Sequence, residues 1–155
     1  MQWAMKPGLM KRLLNFWPPF FFSGIKVECI RDDFCYVRVK LKWRPWTRNI
    51  NQSQFGGSMF SMTDPIYPLM IMGALGADYY VWDKKADIDF IAPGRGPLTA
   101  EFWLSDSVLA AIKAATEEGD KHFPEFLVHI KDKQGNIVCE VNRTVYVRKK
   151  RAVRG

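Results

Sequence analysis

SMFSMTDPIYPLMIMGALGA, residues 58–77, holds one charge, Asp64, and has no polar stripe. A helix that is apolar on every side must be covered on every side. The stretch therefore predicts a helix at the centre of the fold. Pro65 and Pro68 rule out one unbroken helix, because proline lacks the N–H and clashes with the preceding turn. A break or kink is expected near Asp64. The uncharged run after Asp64, residues 65–77, is 13 residues. That is short of the roughly 20 that span a bilayer, so no membrane span is expected.

On the N-terminal side lies a polar, Gly-ended block, PWTRNINQSQFGG (residues 45–57). Before it, Ile25, Val27 and Cys29 alternate with Lys26 and Glu28. Val37, Val39, Leu41 and Trp43 then alternate with Arg38, Lys40, Lys42 and Arg44. A period of two with one apolar side predicts a hairpin that buries one face and turns at Asp32-Asp33. The opposite, basic side reads as a solvated sheet face.

On the C-terminal side, Ile88 and Phe90 alternate with Asp87 and Asp89. A turn, APGRGP (residues 92–97), leads into Leu98, Ala100, Phe102 and Leu104, alternating with Thr99, Glu101 and Trp103. Ser105 or Asp106 can cap a short helix carrying Leu109, Ile112 and Ala115, with Gly119 as its stop. Phe126, Val128 and Ile130 mark one further strand and residues 137–147 another. The turn Asp132-Lys133-Gln134-Gly135-Asn136 joins them. Arg143 breaks the apolar register of Cys139, Val141, Val145 and Val147. It is expected to pair with an acid across an interface or to mark the exposed end of its strand. Strands arriving in pairs, not one by one with helices, predict an α+β fold with an antiparallel sheet.

Leu9, Leu13 and Trp17, with Met10 and Leu14 beside them, recur at helical spacing after Pro7. Lys11, Arg12 and Asn15 take other faces, and Pro18 ends the helix. Residues 1–24 thus read as an N-terminal helical extension of a single domain, 1–155. Lys6, Lys11 and Arg12 before residues 13–22 have the outline of a signal peptide. Asn15 and Pro18-Pro19 interrupt that stretch and no small-x-small site follows, so a cytoplasmic protein is expected.

Three cysteines (Cys29, Cys35, Cys139) and two histidines (His122, His129) stand at no metal-like spacing, so neither a disulfide framework nor a metal site is expected. The chain has 23 Lys plus Arg and 16 Asp plus Glu, a net +7 over 155 residues. That charge raises a nucleic-acid partner as a possibility. Its distribution argues against one. Arg148, Lys149, Lys150, Arg151 and Arg154 fall in the last eight residues, and residues 1–147 carry 18 basic and 16 acidic groups. The excess is a basic tail, residues 149–155, and no aromatic-interleaved RNA-binding pattern or basic recognition helix accompanies it.

The motifs carry a resemblance. Arg48-Asn49, Phe55-Gly56-Gly57 and Asp64 are similar to the Asn…Gly-Gly…Asp pattern of hot-dog acyl-CoA thioesterases of the phenylacetyl-CoA type. The chain resembles still more closely an uncharacterised thioesterase-like branch, a domain of unknown function. The shared features are Trp17-Pro18-Pro19, Phe-Gly-Gly, Asp64-Pro65, and Asp89, Phe90, Pro93, Gly94, Arg95 and Gly96. The resemblance spans roughly residues 8 to 148. It implies a hot-dog fold, a curved antiparallel sheet wrapped around the long apolar helix. The thioesterases carry His where this chain has Phe55, and no Pro after the Asp.

What the resemblance implies chemically is thioester hydrolysis. A backbone N–H at Gly57, near a helix N-terminus, would hold the oxyanion. Asp64 would act as general base on water or as nucleophile, with a carboxyl raised by its apolar helix, and Asn49 would orient the water or carbonyl. Asn51, Phe55, Gly56, Met59, Tyr67 and Arg95 would bind substrate, Arg95 at a CoA phosphate. No cofactor is implied beyond CoA within the substrate. The expected assembly is a homodimer or homotetramer. Each residue has a plainer reading: Asp64-Pro65 as a helix start, Gly56-Gly57 and Asn49 as turn formers, and Arg95 as an exposed turn charge. A non-catalytic acyl or lipid-thioester binder of the same fold is the alternative function.

Overall fold

The structure, a computed structural model, describes residues 6–151. In chain order the elements are α1 (Pro7–Phe16), α2 (Pro18–Ser23), β1 (Ile25–Ile30), β2 (Tyr36–Leu41), a 3-10 turn (Pro45–Thr47), α3 (Gly56–Ser61), α4 (Ile66–Leu75), β3 (Tyr79–Phe90), β4 (Leu98–Trp103), α5 (Asp106–Thr116), β5 (Lys121–His122), β6 (Glu125–Lys131) and β7 (Ile137–Lys149). The apolar stretch is therefore two helices, α3 and α4, broken at residues 62–65 around a cis Asp64-Pro65 bond. The break expected from Pro65 is present.

All pairings are antiparallel. The strands run β1-β2-β4-β6-β7-β3, with β5 paired to the end of β7, in one curved seven-stranded sheet. Alternation puts Val37, Val39, Leu98, Ala100, Phe102, Val128, Ile130, Val141, Val145 and Val147 on the buried face. That face closes on Ile66, Tyr67, Met70 and Ile71 of α4. Tyr67 stacks on Phe126 at 3.9 Å and meets Phe102 edge-on at 5.5 Å. Gly73 is needed on the other side of α4: the Phe34 ring lies where a Cβ would sit. This is the hot-dog arrangement that the resemblance implies.

Several local expectations hold and several do not. Ser105 caps α5, accepting from the Val108 N–H at 3.3 Å. The Asp132 carboxylate organises the last turn, accepting from the Gln134 and Asn136 N–H groups at 2.9 Å each. Cys29 does not share the buried side with Ile25 and Val27; it is exposed. A register shift between Val27 and Cys29 turns the end of β1 over. The first helix seats Met10 and Leu14, leaving Leu13 and Trp17 largely in solvent. Asn15 faces the sheet and clamps β1, donating to the Val27 carbonyl at 3.0 Å and accepting the Val27 N–H at 2.7 Å. The third strand begins at Tyr79, well before the Asp87 to Phe90 alternation that marks it in the sequence. It is the outer strand of the sheet and runs twelve residues. Arg154 and part of the basic tail lie outside the described residues. No helix among the described residues is long and apolar enough to cross a membrane.

Candidate active site

A cleft of about 710 Å³ opens where the loop before α3, the first turn of α3 and the turn after β3 meet. Five predicted site residues line it: Asn49, Asn51, Gly56, Met59 and Arg95. Met59 is buried, while Asn51 and Arg95 are exposed. The loop is built by its own side chains. The Asn49 amide oxygen accepts from the Asn51 N–H (2.9 Å), the Ser53 N–H (3.1 Å) and the Ser53 hydroxyl (3.0 Å). A single short polar side chain thus closes the turn, and Gln52 takes a left-handed φ of 53° inside it.

Gln54 fastens this loop to its surroundings. Its N–H donates to the Gly94 carbonyl at 2.8 Å, and its side-chain amide donates to the carbonyls of Lys42 (3.1 Å) and Gly96 (3.0 Å). Those two bonds fix which end of the amide is nitrogen. The amide oxygen is then left buried without a partner, in a residue that lines the cleft. A buried acceptor without a donor is costly, and a ligand N–H or O–H would satisfy it. Sequence reading missed Gln54, since a Gln in a polar block gives no signal.

Two glycines let the backbone at the cleft pack closely against its neighbours. A Cβ on Gly56 would stand 3.0 Å from the Phe90 ring, and one on Gly94 would stand 2.7 Å from Leu98 Cδ1. Phe55 precedes α3 in an extended conformation, and its carbonyl accepts the N–H groups of Ser58 (3.0 Å) and Met59 (3.2 Å). Gly56 and Gly57 come before these, in the part of the first turn that has no intrahelical acceptor. The Phe55 ring covers the open side of Gly57, 2.5 Å from where its Cβ would be.

Phe55, Gly57, Asp64 and Tyr67, also predicted for the site, do not line this cleft. Tyr67 is in the core, and burial pushes its hydroxyl up to about 12. Asp64 sits at the break between α3 and α4. Its side chain is 58% exposed, not buried as expected of an acid in an apolar helix. Nor does it cap α4: the residue in the cap position is Pro65, with no side-chain cap.

Instead Asp64 faces Arg143, whose side chain is 3% exposed. The guanidinium reaches Asp64 Oδ2 at 3.5 Å and Asp83 Oδ2 at 3.1 Å, donates from Nε to Asp83 Oδ1 at 3.2 Å, and donates from Nη1 to the Thr63 hydroxyl at 2.8 Å. The Asp83 Oδ2 contact is at ion-pair distance without hydrogen-bond alignment. Phe60 lies under the guanidinium at 5.6 Å. Burial raises the Asp83 carboxyl above its ordinary value, against the pull of Arg143. Arg143 therefore neither crosses to another chain nor marks an exposed strand end. It is a buried cation between two acids of its own chain. The break in register at residue 143 was its only signal, and the acids that answer it are distant in sequence. Among the described residues no group of three or more His, Cys, Asp or Glu is placed to hold a metal ion.

Comparison with known proteins bears on this geometry. The family described as a domain of unknown function, DUF4442, matches residues 7–147. No curated protein matches the chain. Among solved structures, the chain is similar to a Pseudomonas aeruginosa protein of unknown function described as a probable thioesterase (20% identity, TM-score 0.80, covering 92% of this chain and 95% of that one). It is also similar to a thioesterase from Haemophilus influenzae (13%, TM-score 0.67, 92% and 90%). A third is the E. coli PaaI protein from the phenylacetic acid degradation operon (18%, TM-score 0.59, 82% and 81%).

Proposed function

The chain belongs to the family of the domain of unknown function DUF4442, and from that premise we propose that it is a hot-dog thioester hydrolase acting on an acyl-CoA or a similar acyl thioester. The observation that carries this reading is the cleft, which gathers Asn49, Asn51, Gly56, Met59 and Arg95 around the first turn of α3. Thioesterases among the structures of like fold support it.

In this reading the thioester carbonyl lies against the free N–H groups at the start of α3, past the Phe55 ring. Water attacks the carbonyl carbon, Asp64 takes the water proton, and the Gly57 N–H holds the oxyanion. The C–S bond then breaks, and the departing thiolate receives the proton, giving a carboxylate and a free thiol. Arg143 acts as a positioning residue: held by Asp83 and Thr63, it orients the Asp64 carboxylate. Asn49 acts by shaping the cleft, because its amide oxygen is already occupied by its own loop. The unpaired Gln54 oxygen receives an amide N–H of the kind a pantetheine arm carries. Arg95 stands at the exposed rim, where phosphates of CoA would lie.

A homodimer completes the site. Gly57, in the first turn of α3, and Asp64, in the break after its last turn, stand towards opposite ends of a six-residue helix about 9 Å long. One carbonyl cannot touch both within one chain, because both contacts need to be near 3 Å. The twelve-residue edge strand β3, whose one strand partner is β7, offers a second copy an edge on which to bring the two together.

The test is thiol release from short, medium, long and aryl acyl-CoAs, with Asp64→Asn beside the wild-type protein. Turnover of at least one class by wild type and its loss in Asp64→Asn is the expected result. No turnover of any, or equal turnover by both, overturns the assignment. Stabilisation by an acyl-CoA without turnover favours the non-catalytic binder.

A further inference from the structure

The basic side of β1 and β2 does not behave as one surface. Arg38 and Lys40 are answered by Glu28, at 3.1 Å and 4.0 Å. Lys26, Lys42 and Arg44 have no acidic partner within ion-pair distance among the described residues. These three cations line a second hollow, of about 590 Å³, with Phe21 and Phe22 of α2 and Trp46 of the 3-10 turn. No acid lines it. The three rings are 56%, 71% and 73% exposed. Lys42 is held below its ordinary value by burial and then by its neighbours Arg44, Lys26 and Lys40, as befits a cluster of like charge.

Large rings left in water beside cations that no acid answers mark a surface built for a partner. The partner must be anionic, because three unpaired cations repel one another until a negative charge arrives. It must also accept three aromatic side chains at its boundary. Soluble phosphate meets the first requirement only. The interface of an anionic bilayer meets both: Trp and Phe settle at the headgroup level, and Lys and Arg meet the lipid phosphates. The neighbouring sequence agrees, since no acid occurs before Glu28. Arg44 sits 5.8 Å over the Trp46 ring, so charge and ring face the same place.

We propose that this hollow is a peripheral docking surface for anionic membranes, with Phe22 and Trp46 entering the headgroup layer and Lys26, Lys42 and Arg44 meeting lipid phosphates. The protein lies on the membrane surface and spans nothing. The surface is separate from the Gly56 cleft, and its readout requires no hydrolysis, so it stands or falls apart from the catalytic reading.

The full chain is sedimented with vesicles of phosphatidylcholine alone and of phosphatidylcholine with phosphatidylserine, each at low and high salt. Binding about tenfold or more tighter to the anionic vesicles, weakened by salt, is expected. The triple variant Lys26→Ser/Lys42→Ser/Arg44→Ser should lose that preference. Phe22→Ser and Trp46→Ser should weaken what remains at high salt. All five side chains are at the surface of the fold, and unchanged thermal melting of each variant establishes that it is folded. Lys133→Ser, in the β6–β7 turn and outside the hollow, should bind as wild type. Equal binding to both vesicle types, wild-type binding by the triple variant, or an equal loss in Lys133→Ser overturns the proposal. So does a Phe22→Ser variant that changes oligomeric state while wild type ignores vesicles, which would make this face a contact between copies. Uptake of soluble CoA through the same three cations without vesicle binding also overturns it.

Discussion

The two ends of α3 are held in opposite ways. At its start, the cleft is shaped by neutral hydrogen bonds and close packing: Asn49 closes its own loop, Gln54 ties that loop to the Lys42, Gly94 and Gly96 carbonyls, and glycines admit the rings and side chains beside them. At its end, Asp64 faces a buried cation from a distant strand, Arg143, which is itself held by Asp83 and Thr63. The first arrangement is neutral; the second is charged and centred on a buried guanidinium. Six helical residues therefore join a neutral part to a charged part, and each can be broken without the other.

The sharpest separation comes from Asp64→Asn. Loss of a general base is expected to lower turnover by about 10²- to 10⁴-fold. Stability should change by only about 0.5 kcal/mol, because the side chain is largely in water and surface ion pairs are weak. Acyl-CoA affinity, read by calorimetry, should persist. A large fall in melting temperature would show that Asp64 holds the helix break together, and would reduce it to a structural residue.

Arg143→Met attacks the same end from behind. It leaves Asp83 mostly buried with no cation, and removing one member of a buried pair costs about 3–5 kcal/mol. Urea unfolding should show that loss. In the double variant Arg143→Met/Asp83→Leu much of it should return, since an apolar pair leaves no orphan charge. Failure of the second change to restore stability would break the claim that charge burial, and not packing around Phe60, organises this end.

Asn49→Ala tests the other end. It removes one acceptor from three donors, of which Ser53 supplies two and is buried. The expected cost is about 1–3 kcal/mol. KM should rise while the Asp64-dependent step is retained, since this side chain shapes the cleft and does not touch the carbonyl. A fall in kcat with KM unchanged would instead give Asn49 the orienting role that its resemblance implies.

This contrast also explains what was legible in the sequence. The cleft was legible because Asn49, Asn51 and Gly56 are neighbours in sequence with distinctive turn chemistry, and Arg95 stands in a second turn marked by Pro93, Gly94 and Gly96. The broken apolar helix was legible from Pro65 and Pro68, and the buried sheet face from alternation. The Arg143 cluster was not, because Thr63, Asp83 and Arg143 come from three elements and only the fold brings them together. Cys29 was misplaced for a similar reason: alternation assumes an unbroken register, and one bulge reverses it. The early part of β3 was hidden because its Asp83, an inward position, reads as a polar interruption until its cation is seen.

The finest distinction between the two ends is in their response to pH. Burial raises the Asp83 carboxyl above its ordinary value, Asp64 nearby pushes the same way, and Arg143 pulls it down. In the unfolded chain the group titrates near about 3.9. Between that value and its higher folded one, the native protein binds more protons than the unfolded chain, so stability falls as pH rises. The contribution is fully present below the unfolded value and is lost as pH passes the folded one. Asp83→Asn removes this titration. The stability of wild type relative to Asp83→Asn should therefore decline as pH rises from about 4 through the mildly acidic range. Asn49→Ala, at the uncharged end, should keep the wild-type slope. Urea unfolding at a series of pH values checks both. A wild-type advantage that grows with pH would mean that Arg143 outweighs burial, making the charged end of α3 a net ion-pair gain.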